Sequence, residues 1–412
     1  MDYFTYKNNT LYAEDVNIDD ILKKVRTPFY LYSKKTFLRH FNQIKDAFKE
    51  LDPIIAYSIK SNSNLAILKI LKKAGSGFDI VSGGELYRAL KIKADPSKIV
   101  FAGVAKSNDE IEYALKNNIL FFNTESLNEI DAINRIAGKL NKIANIAVRI
   151  NPDVVPKTHK YITTGKKETK FGISIYEIDN IIKKVVKSPN VKLKSIHIHI
   201  GSQITKVEPY ITAIKKIISV LPKFKEAGIE IEYLNIGGGF GIIYKNEKPP
   251  LPQQFARKII PLIKKAGLKL IMEPGRYISG NSGILITKVI YIKKSLNKKF
   301  IIVDAGMNTL VRPTLYESYH EIIPVKKTAG KIKADIVGPI CETGDFFAKE
   351  RTIGKVQEGD YIAVKSAGAY GMVMASRYNS RPLPAEVLVD GKKFKIIRKP
   401  ESYKDLIKKE RF

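Results

Sequence analysis

Lys60 stands at the end of a short apolar stretch that begins at Ile54, and the Ser/Asn-rich residues after it predict the start of a helix over Leu65–Ala74. A lysine held at the carboxyl end of a barrel strand can lose its proton and attack a carbonyl carbon as an amine. Lysine is abundant in this chain, and most lysines are solvated surface charges. The interpretation of Lys60 therefore depends on what the other strand ends supply.

The ends of the other predicted strands also carry polar or glycine residues. They are Asp79 with Ser82, Arg149, His197 and His199 with Ser202, Gly237 to Gly239, Glu273, and Arg276. In a parallel barrel all strand ends of one sense meet on one face, which is the face that holds active sites. We therefore expect these residues to share one catalytic mouth.

Three consecutive glycines, Gly237, Gly238 and Gly239, follow the seventh predicted strand. Barrels often bind phosphate at this position, and glycines let backbone amides approach an anion closely. The alternative is a tight turn without a ligand. A dinucleotide fingerprint is disfavoured because Gly-x-Gly-x-x-Gly is not matched.

His197 and His199 alternate along one strand and point to the same side. A metal site is not expected, because no Cys, Asp or Glu cluster nearby in the sequence completes a ligand set. His199 is placed to stack on a planar ring, whereas His197 fits a hydrogen-bonded core residue. Glu273 is suited to keep a heteroaromatic nitrogen protonated and Arg276 to grip a carboxylate; the alternative is an ion pair that closes the barrel.

Apolar strands alternate with amphipathic helices from Ile54 onward, which favours an α/β fold with a (β/α)8 barrel over an open doubly wound sheet. The eight predicted strands are Ile54–Ser58, Phe78–Val81, Lys98–Ala102, Leu120–Asn123, Ile143–Ile150, Leu193–His199, Glu232–Ile236 and Lys269–Met272. The predicted domains are an N-terminal segment, 1–28, that packs with the β domain; the barrel, 29–277; and a mostly β domain with a C-terminal helix, 278–412.

The chain has 412 residues, of which 44% are hydrophobic, so it can bury a large core. No apolar run is long enough to span a bilayer, the start lacks a leader, and there is one cysteine, so we expect a cytoplasmic protein that does not bind membranes. Although the net charge is +30, the lysines are spread along the chain and no nucleic-acid-binding motif is present, so we expect no nucleic-acid partner.

Together these motifs resemble the ornithine/diaminopimelate/arginine decarboxylase family of pyridoxal-phosphate enzymes, which has the alanine-racemase-like fold. The similarity covers nearly the whole chain and sharpens in the carboxyl half, where the motifs resemble the branch of the family that acts on diaminopimelate. These motifs are Arg312-Pro-x-Leu-Tyr316, Gly338-Pro-Ile-Cys-Glu-Thr-Gly-Asp345, and Gly368-Ala-Tyr-Gly-Met372 through Tyr378-Asn-Ser-Arg-Pro382. One departure is that serines flank Lys60 where alanine-like residues are expected.

The resemblance implies a cofactor, pyridoxal 5'-phosphate, and a role for each matching residue. Lys60 would hold the cofactor covalently, His199 would stack on its ring, and Glu273 would face its ring nitrogen. Ser202, Gly237 to Gly239, Arg276 and Tyr370 would surround the phosphate end or the nearby substrate. Cys341 would donate a proton across a dimer interface, so a homodimer with shared active sites is expected.

Substrate choice depends on the end of the substrate that does not react. Arg276, Arg312 and Tyr316 can grip carboxylates, Glu342 can pair with an ammonium group, and Tyr370 lies in a matching motif. A substrate with two carboxylates is therefore favoured. The predicted reaction is decarboxylation of meso-2,6-diaminopimelate to L-lysine and carbon dioxide, the last step of lysine biosynthesis.

Three alternatives remain open at the level of the sequence. The first is a related carboxy-lyase for ornithine, arginine or carboxynorspermidine. The second is a non-catalytic relative that binds partners, or a basic protein held on nucleic acid. The third is a racemase, which needs a tyrosine acid/base that we do not place. Asp79, Arg149 and His197 are candidate site residues without assigned roles.

Overall fold

The structure is a computed structural model that describes residues 2–154 and 170–411. The chain divides into two compact units. The β-rich unit comprises Met1–Arg39, Ile243–Glu247 and Ile278–Phe412, and the barrel unit comprises His40–Ile242 and Lys248–Tyr277. In the described part of the chain, no helix is long and apolar enough to cross a membrane.

The amino-terminal residues form a small antiparallel sheet, a short helix, a buried strand and a longer helix. These are β1 (Phe4–Lys7), β2 (Thr10–Ala13), β3 (Val16–Asn17), α1 (Ile18–Leu22), β4 (Phe29–Ser33) and α2 (Lys34–Ala47). Every residue of β4 is buried, which agrees with its aromatic and aliphatic sequence, Phe-Tyr-Leu-Tyr-Ser.

The barrel unit contains a parallel sheet that closes into a barrel. Its strands are β5 (Ile54–Ser58), β6 (Gly77–Ile80), β7 (Ile99–Phe101), β8 (Phe121–Thr124), β9 (Ala144–Asn151), β10 (Ile173–Ser174), β11 (Val191–His197), β12 (Tyr233–Asn235) and β13 (Lys269–Met272). The ring runs β5-β6-β7-β8-β9-β11-β12-β13 and returns to β5, while β10 pairs beside β9. The predicted eight-stranded barrel is confirmed, and the open sheet is excluded.

Helices follow the barrel strands, with the order expected for repeated βα units. They are α3 (Leu65–Lys73), α4 (Gly83–Lys91), α5 (Asn108–Lys116), α6 (Leu127–Lys139), α7 (Ile178–Val186), α8 (Glu208–Glu226), α9 (Pro252–Ala266) and α10 (Arg276–Ser279). Ser107 and Glu110 form a reciprocal capping box at the start of α5. In α4, Ser82 accepts the backbone N–H of Glu85, but the Glu85 carboxylate accepts from Val81 instead.

The β-rich unit is built on one mixed sheet. Its remaining elements are β14 (Gly283–Ser295), β15 (Lys298–Val303), α11 (Arg312–Tyr316), β16 (Ile322–Pro324), β17 (Lys331–Val337), β18 (Phe346–Gly354), β19 (Tyr361–Val364), β20 (Ala385–Asp390), β21 (Lys393–Arg398) and α12 (Tyr403–Ile407). The sheet order is β18-β17-β15-β14-β4-β20-β21, with β19 between β14 and β16. Its core includes amino-terminal side chains such as Phe4 and Leu11 beside Ile284 and Val387.

Strand β4 differs from the prediction made from the sequence, which assigns Phe29–Ser33 to the barrel domain. It pairs with β14 on one edge and with β20 on the other, both in the β-rich sheet. The reason is that β4 supplies a buried central strand to that sheet, a long-range pairing that local sequence periodicity does not reveal. The boundaries of the other predicted domains stay a prediction.

Candidate active site

Lys60 lies immediately after β5, and its ammonium nitrogen is 2.7 Å from Asp79 Oδ2 on the neighbouring strand β6. The lysine side chain is 36% exposed and the Asp79 side chain is fully buried, so the amine is the accessible member of the pair. Ser58 Oγ also donates to Asp79 Oδ2, at 2.7 Å. Burial and the nearby Glu273 carboxylate raise the pKa of Asp79, while Lys60 and Ser58 oppose that rise.

Glu273 follows β13 and is held by two buried amides. Asn235 Nδ2 and Asn123 Nδ2 both donate to Glu273 Oε1, at 2.6 and 2.9 Å. His197 Nε2 lies 3.2 Å from Oε2, without the alignment of a hydrogen bond. Burial alone would raise the pKa of Glu273, but His197, Lys60 and the Asn235 amide outweigh it and hold the pKa well below its usual range. Glu273 is therefore a carboxylate at neutral pH.

His199 is partly exposed, and its Nδ1 accepts the backbone N–H of Gly238 at 3.3 Å. Partial removal from water and the positive charges of Arg149 and Lys60 lower the pKa of His199 well below its usual value. The ring is therefore neutral. A neutral imidazole with a fixed orientation can lie flat against another ring without adding a second charge to the site.

Arg276 begins α10, and both its Nε and its Nη2 are 3.2 Å from Ser202 Oγ. The guanidinium of Arg276 and the Ser202 hydroxyl thus form one polar group beside the glycine run. This pairing combines a positive charge with a hydroxyl, which are the groups that commonly bind phosphate or carboxylate.

The three glycines are required by close backbone packing. A Cβ atom on Gly237, Gly238 or Gly239 would lie 2.6, 2.2 or 2.4 Å from the carbonyl oxygens of Ile198, Glu273 and Gly201. Gly237 and Gly239 also have φ values of 67° and 104°, which side chains disfavour. Close packing and backbone conformation therefore explain the glycines without a ligand, and the same glycines leave no side chain between this backbone and an anion.

Cys341 and Glu342 lie in the loop between β17 and β18 of the β-rich unit, and both side chains are exposed. Asp345 anchors this loop, because its carboxylate accepts two backbone N–H groups at 2.6 Å. The Cys341 N–H donates to Asn379 Oδ1 at 2.7 Å. The loop thus presents an exposed thiol and an exposed carboxylate from a fixed backbone.

Arg312 begins α11 in the same β-rich unit and is 5% exposed. Its guanidinium carbon lies 5.3 Å from the ring centre of Tyr244 and 5.6 Å from that of Tyr316. Tyr370 has a left-handed backbone conformation, with φ of 56°. The structure therefore brings Arg312 and Tyr316 together in the β-rich unit. In the barrel unit it pairs Lys60 with Asp79, and His197 with Glu273.

The sequence analysis assigns no functional role to several residues of the barrel mouth. Asn235 is the last residue of β12 and Asn123 the last but one of β8, and a polar residue at the end of an apolar strand is the signal that could have identified them. Arg149, which had no assigned role, forms a buried ion pair with Glu125 at 2.8 Å. Within residues 2–154 and 170–411, no group of three or more His, Cys, Asp or Glu is arranged to hold a metal ion.

Comparison with known proteins extends over the whole chain. The family model described as pyridoxal-dependent decarboxylase, pyridoxal binding domain, matches residues 34–280. A protein of Aquifex aeolicus named diaminopimelate decarboxylase is 49% identical over 403 residues, which is 97% of this chain and 96% of that protein.

Two crystal structures show the same similarity in three dimensions. Diaminopimelate decarboxylase from Helicobacter pylori, complexed with L-lysine, is 43% identical with a TM-score of 0.92, covering 95% of this chain and 98% of that one. The enzyme from M. jannaschii, also in complex with L-lysine, is 38% identical with a TM-score of 0.95, covering 100% of this chain and 98% of that one.

Proposed function

Since the chain belongs to the family of pyridoxal-dependent decarboxylases, we propose that it removes the carboxylate at the D centre of meso-2,6-diaminopimelate and releases L-lysine and carbon dioxide. This is the last step of lysine biosynthesis. The observation that carries the proposal is similarity over 97% of the chain to a relative named diaminopimelate decarboxylase. Two similar structures of that name hold L-lysine, the product of the proposed reaction.

The barrel mouth fits pyridoxal phosphate in three respects. Lys60 offers an accessible amine for the aldehyde, Glu273 offers a carboxylate for the ring nitrogen, and Arg276 with Ser202 offers donors for the phosphate. Two buried oxygens also have no hydrogen-bond partner among the described residues, Asp79 Oδ1 and Asn123 Oδ1. Such atoms are expected where a bound group completes the hydrogen bonding.

Bound pyridoxal phosphate supplies an electron sink for the electron pair left on carbon when carbon dioxide departs. Lys60 Nζ must lose a proton before it can bond to carbon, and Asp79 Oδ2, 2.7 Å away with a raised pKa, is placed to accept it. Glu273 stays ionised, because its pKa is lowered, and its carboxylate would favour a proton on the ring nitrogen. His199 would present its neutral ring to the face of the cofactor, and the Gly237–Gly239 backbone would offer amides to its phosphate.

Cys341 is proposed as the acid that returns a proton to the substrate carbon. It would act in the active site of a second copy of the chain, in a homodimer with shared sites. The proposal is supported by the exposure of Cys341 on an anchored loop and by the neighbouring Glu342, which would pair with the substrate's distant ammonium group.

Substrate specificity is assigned to residues that bind carboxylates. Arg312, with Tyr316 and Tyr370, would hold the carboxylate at the L centre, and Arg276 would contribute on the cofactor side. A decarboxylase for ornithine needs no such group at the distant end. We also propose a cytoplasmic location.

The test is release of L-lysine and carbon dioxide from meso-diaminopimelate by protein saturated with pyridoxal phosphate, beside a Lys60→Ala variant. Turnover that is lost in the variant is expected. The same assay is run with ornithine, arginine and carboxynorspermidine, and turnover of one of these in place of diaminopimelate would contradict the proposed substrate. In Arg312→Ala, the KM for diaminopimelate is expected to rise by at least roughly tenfold.

A further inference from the structure

The segment Ile243–Glu247, here called the Tyr244 segment, belongs to the β-rich unit although the flanking sequence belongs to the barrel unit. Glu247 Oε2 accepts the backbone N–H groups of Tyr244 and Lys245, at 2.9 and 2.7 Å. Burial raises the pKa of Glu247, but these amide bonds outweigh it and leave the pKa below its usual value. Asn281 Nδ2 donates to the Ile243 carbonyl at 3.3 Å. The segment is thus held at both of its ends.

The Tyr244 ring lies beside the buried guanidinium of Arg312, 5.3 Å from its central carbon. Tyr316 lies one helical turn after Arg312, with its ring 5.6 Å from the same carbon. An aromatic face attracts a cation without using up its N–H donors. Two rings beside the guanidinium can therefore hold it in place, and a planar guanidinium binds a carboxylate through two of its N–H groups.

His320 supports the Tyr244 ring from another side. The two rings are 5.4 Å apart at 76°, in edge-to-face contact. His320 is fully buried, and its Nδ1 is 2.8 Å from the Lys365 carbonyl oxygen. Its own carbonyl accepts a hydrogen bond from Arg351 Nη1 at 2.9 Å. Because polar contacts hold both the ring and the backbone carbonyl of His320, Tyr244 packs against a rigid neighbour.

We propose that Tyr244 is a positioning residue for substrate specificity, which holds the Arg312 guanidinium ready to bind the distant carboxylate in a bidentate fashion. This inference rests on the proposed function, which assigns that carboxylate to Arg312. A guanidinium that is already oriented loses less entropy when the carboxylate binds. Loss of the Tyr244 ring therefore weakens binding of ligands that carry this carboxylate and leaves the reacting centre unchanged.

The test uses the holoenzyme with Tyr244→Leu and Tyr244→Phe. In Tyr244→Leu, the KM for meso-diaminopimelate is expected to rise roughly tenfold, with kcat within about twofold of the wild type. Inhibition by L-lysine, which retains the distant carboxylate, weakens by a similar factor. Inhibition by 1,5-diaminopentane, which has no carboxylate, is unchanged at concentrations that inhibit the wild type. Tyr244→Phe restores the ring and the KM.

The matched control is Tyr12→Leu, which removes a ring beside another cation of the same unit, with Lys7 Nζ 5.1 Å from the ring centre. Its KM is expected to match the wild type. Visible absorbance of the bound cofactor reports folding, and Tyr244→Met replaces Tyr244→Leu if that absorbance is lost.

The inference is overturned if the KM of the ring-free variant stays within about twofold of the wild type, or if inhibition by the diamine weakens as much as inhibition by L-lysine. A KM increase of equal size in Tyr12→Leu also overturns it. These outcomes require a wild-type enzyme that turns over diaminopimelate. A wild type without this turnover contradicts the proposed function instead.

Discussion

The barrel mouth and the Arg312 cluster hold their charged groups in different ways. In the barrel, Glu273 is fixed by two side-chain amides and lies against His197. In the β-rich unit, Arg312 is flanked by the rings of Tyr244 and Tyr316. Hydrogen bonds set the pKa of an acid as well as its position, whereas aromatic rings attract a guanidinium through its charge without accepting conventional hydrogen bonds from it. The first arrangement suits control of a proton, and the second suits recognition of a carboxylate.

The largest effect on kcat is expected in the barrel mouth, where Glu273 is proposed to control a proton. Glu273→Gln keeps the shape of the side chain but removes its negative charge, so the cofactor ring nitrogen loses the group that favours its protonation. We expect kcat to fall by two to three orders of magnitude, on the order of the effects seen when a group that controls a catalytic proton is removed. The measurement is the kcat for diaminopimelate in variants that retain cofactor absorbance.

The control for this prediction is Glu226→Gln, which changes an exposed glutamate at the end of α8 and is expected to leave kcat unchanged. If Glu273→Gln retains the wild-type kcat, the barrel mouth does not control the ring proton through this carboxylate. The contrast between the two regions would then lose its chemical basis.

The sequence predicts the barrel mouth better than the Arg312 cluster, and the reason is geometric. Lys60, His199 and Glu273 each follow a strand of one parallel barrel, so the alternation of strands and helices is enough to place them on one face. Tyr244 reaches Arg312 through a segment that joins the other unit. Such a contact depends on chain path and side-chain packing, which one sequence without an alignment does not contain.

Strand β4 and the buried asparagines also depend on long-range contacts that one sequence does not contain. The predicted domain boundary places Phe29–Ser33 with the barrel, but a strand can pair with any sheet that buries it, and this one pairs in the β-rich sheet. Asn123 and Asn235 lie within predicted strands, but an asparagine in a strand is informative only when its partner is known. Here that partner is Glu273.

A smaller effect, on stability, is expected for a buried ion pair of the barrel unit than for Glu273, and a still smaller one for an exposed ion pair of the β-rich unit. Lys106 is 1% exposed and lies 2.6 Å from Glu129 in the barrel unit, whereas the Arg377 side chain, paired with Glu401 at 2.6 Å in the β-rich unit, is 53% exposed. Glu129→Gln leaves the Lys106 charge buried without its counterion, so we expect a loss of about 3 kcal/mol in the free energy of unfolding. The measurement is urea unfolding of the holoenzyme.

Arg377→Gln is the control for this comparison and is expected to leave the urea midpoint nearly unchanged, because exposed ion pairs contribute little to stability. Equal losses in the two variants would show that burial does not distinguish the ion pairs of the two units.

The smallest effect is expected from a change beside Glu273. Asn123→Asp places a second carboxylate about 2.9 Å from Glu273 Oε1 and removes one donor. Like charges at this distance raise the pKa of the pair, so the wild-type carboxylate, whose pKa is lowered, becomes protonated at higher pH in the variant. The acid limb of the kcat profile should therefore move to higher pH. We expect roughly tenfold lower activity at the acid end and a smaller difference as the pH rises.

Asn123→Leu removes the donor without adding charge, so its acid limb should move less. Parallel profiles for Asn123→Asp and the wild type would show that Asn123 does not help to keep Glu273 ionised, and the hydrogen-bonded region would then resemble the aromatic one in fixing position alone.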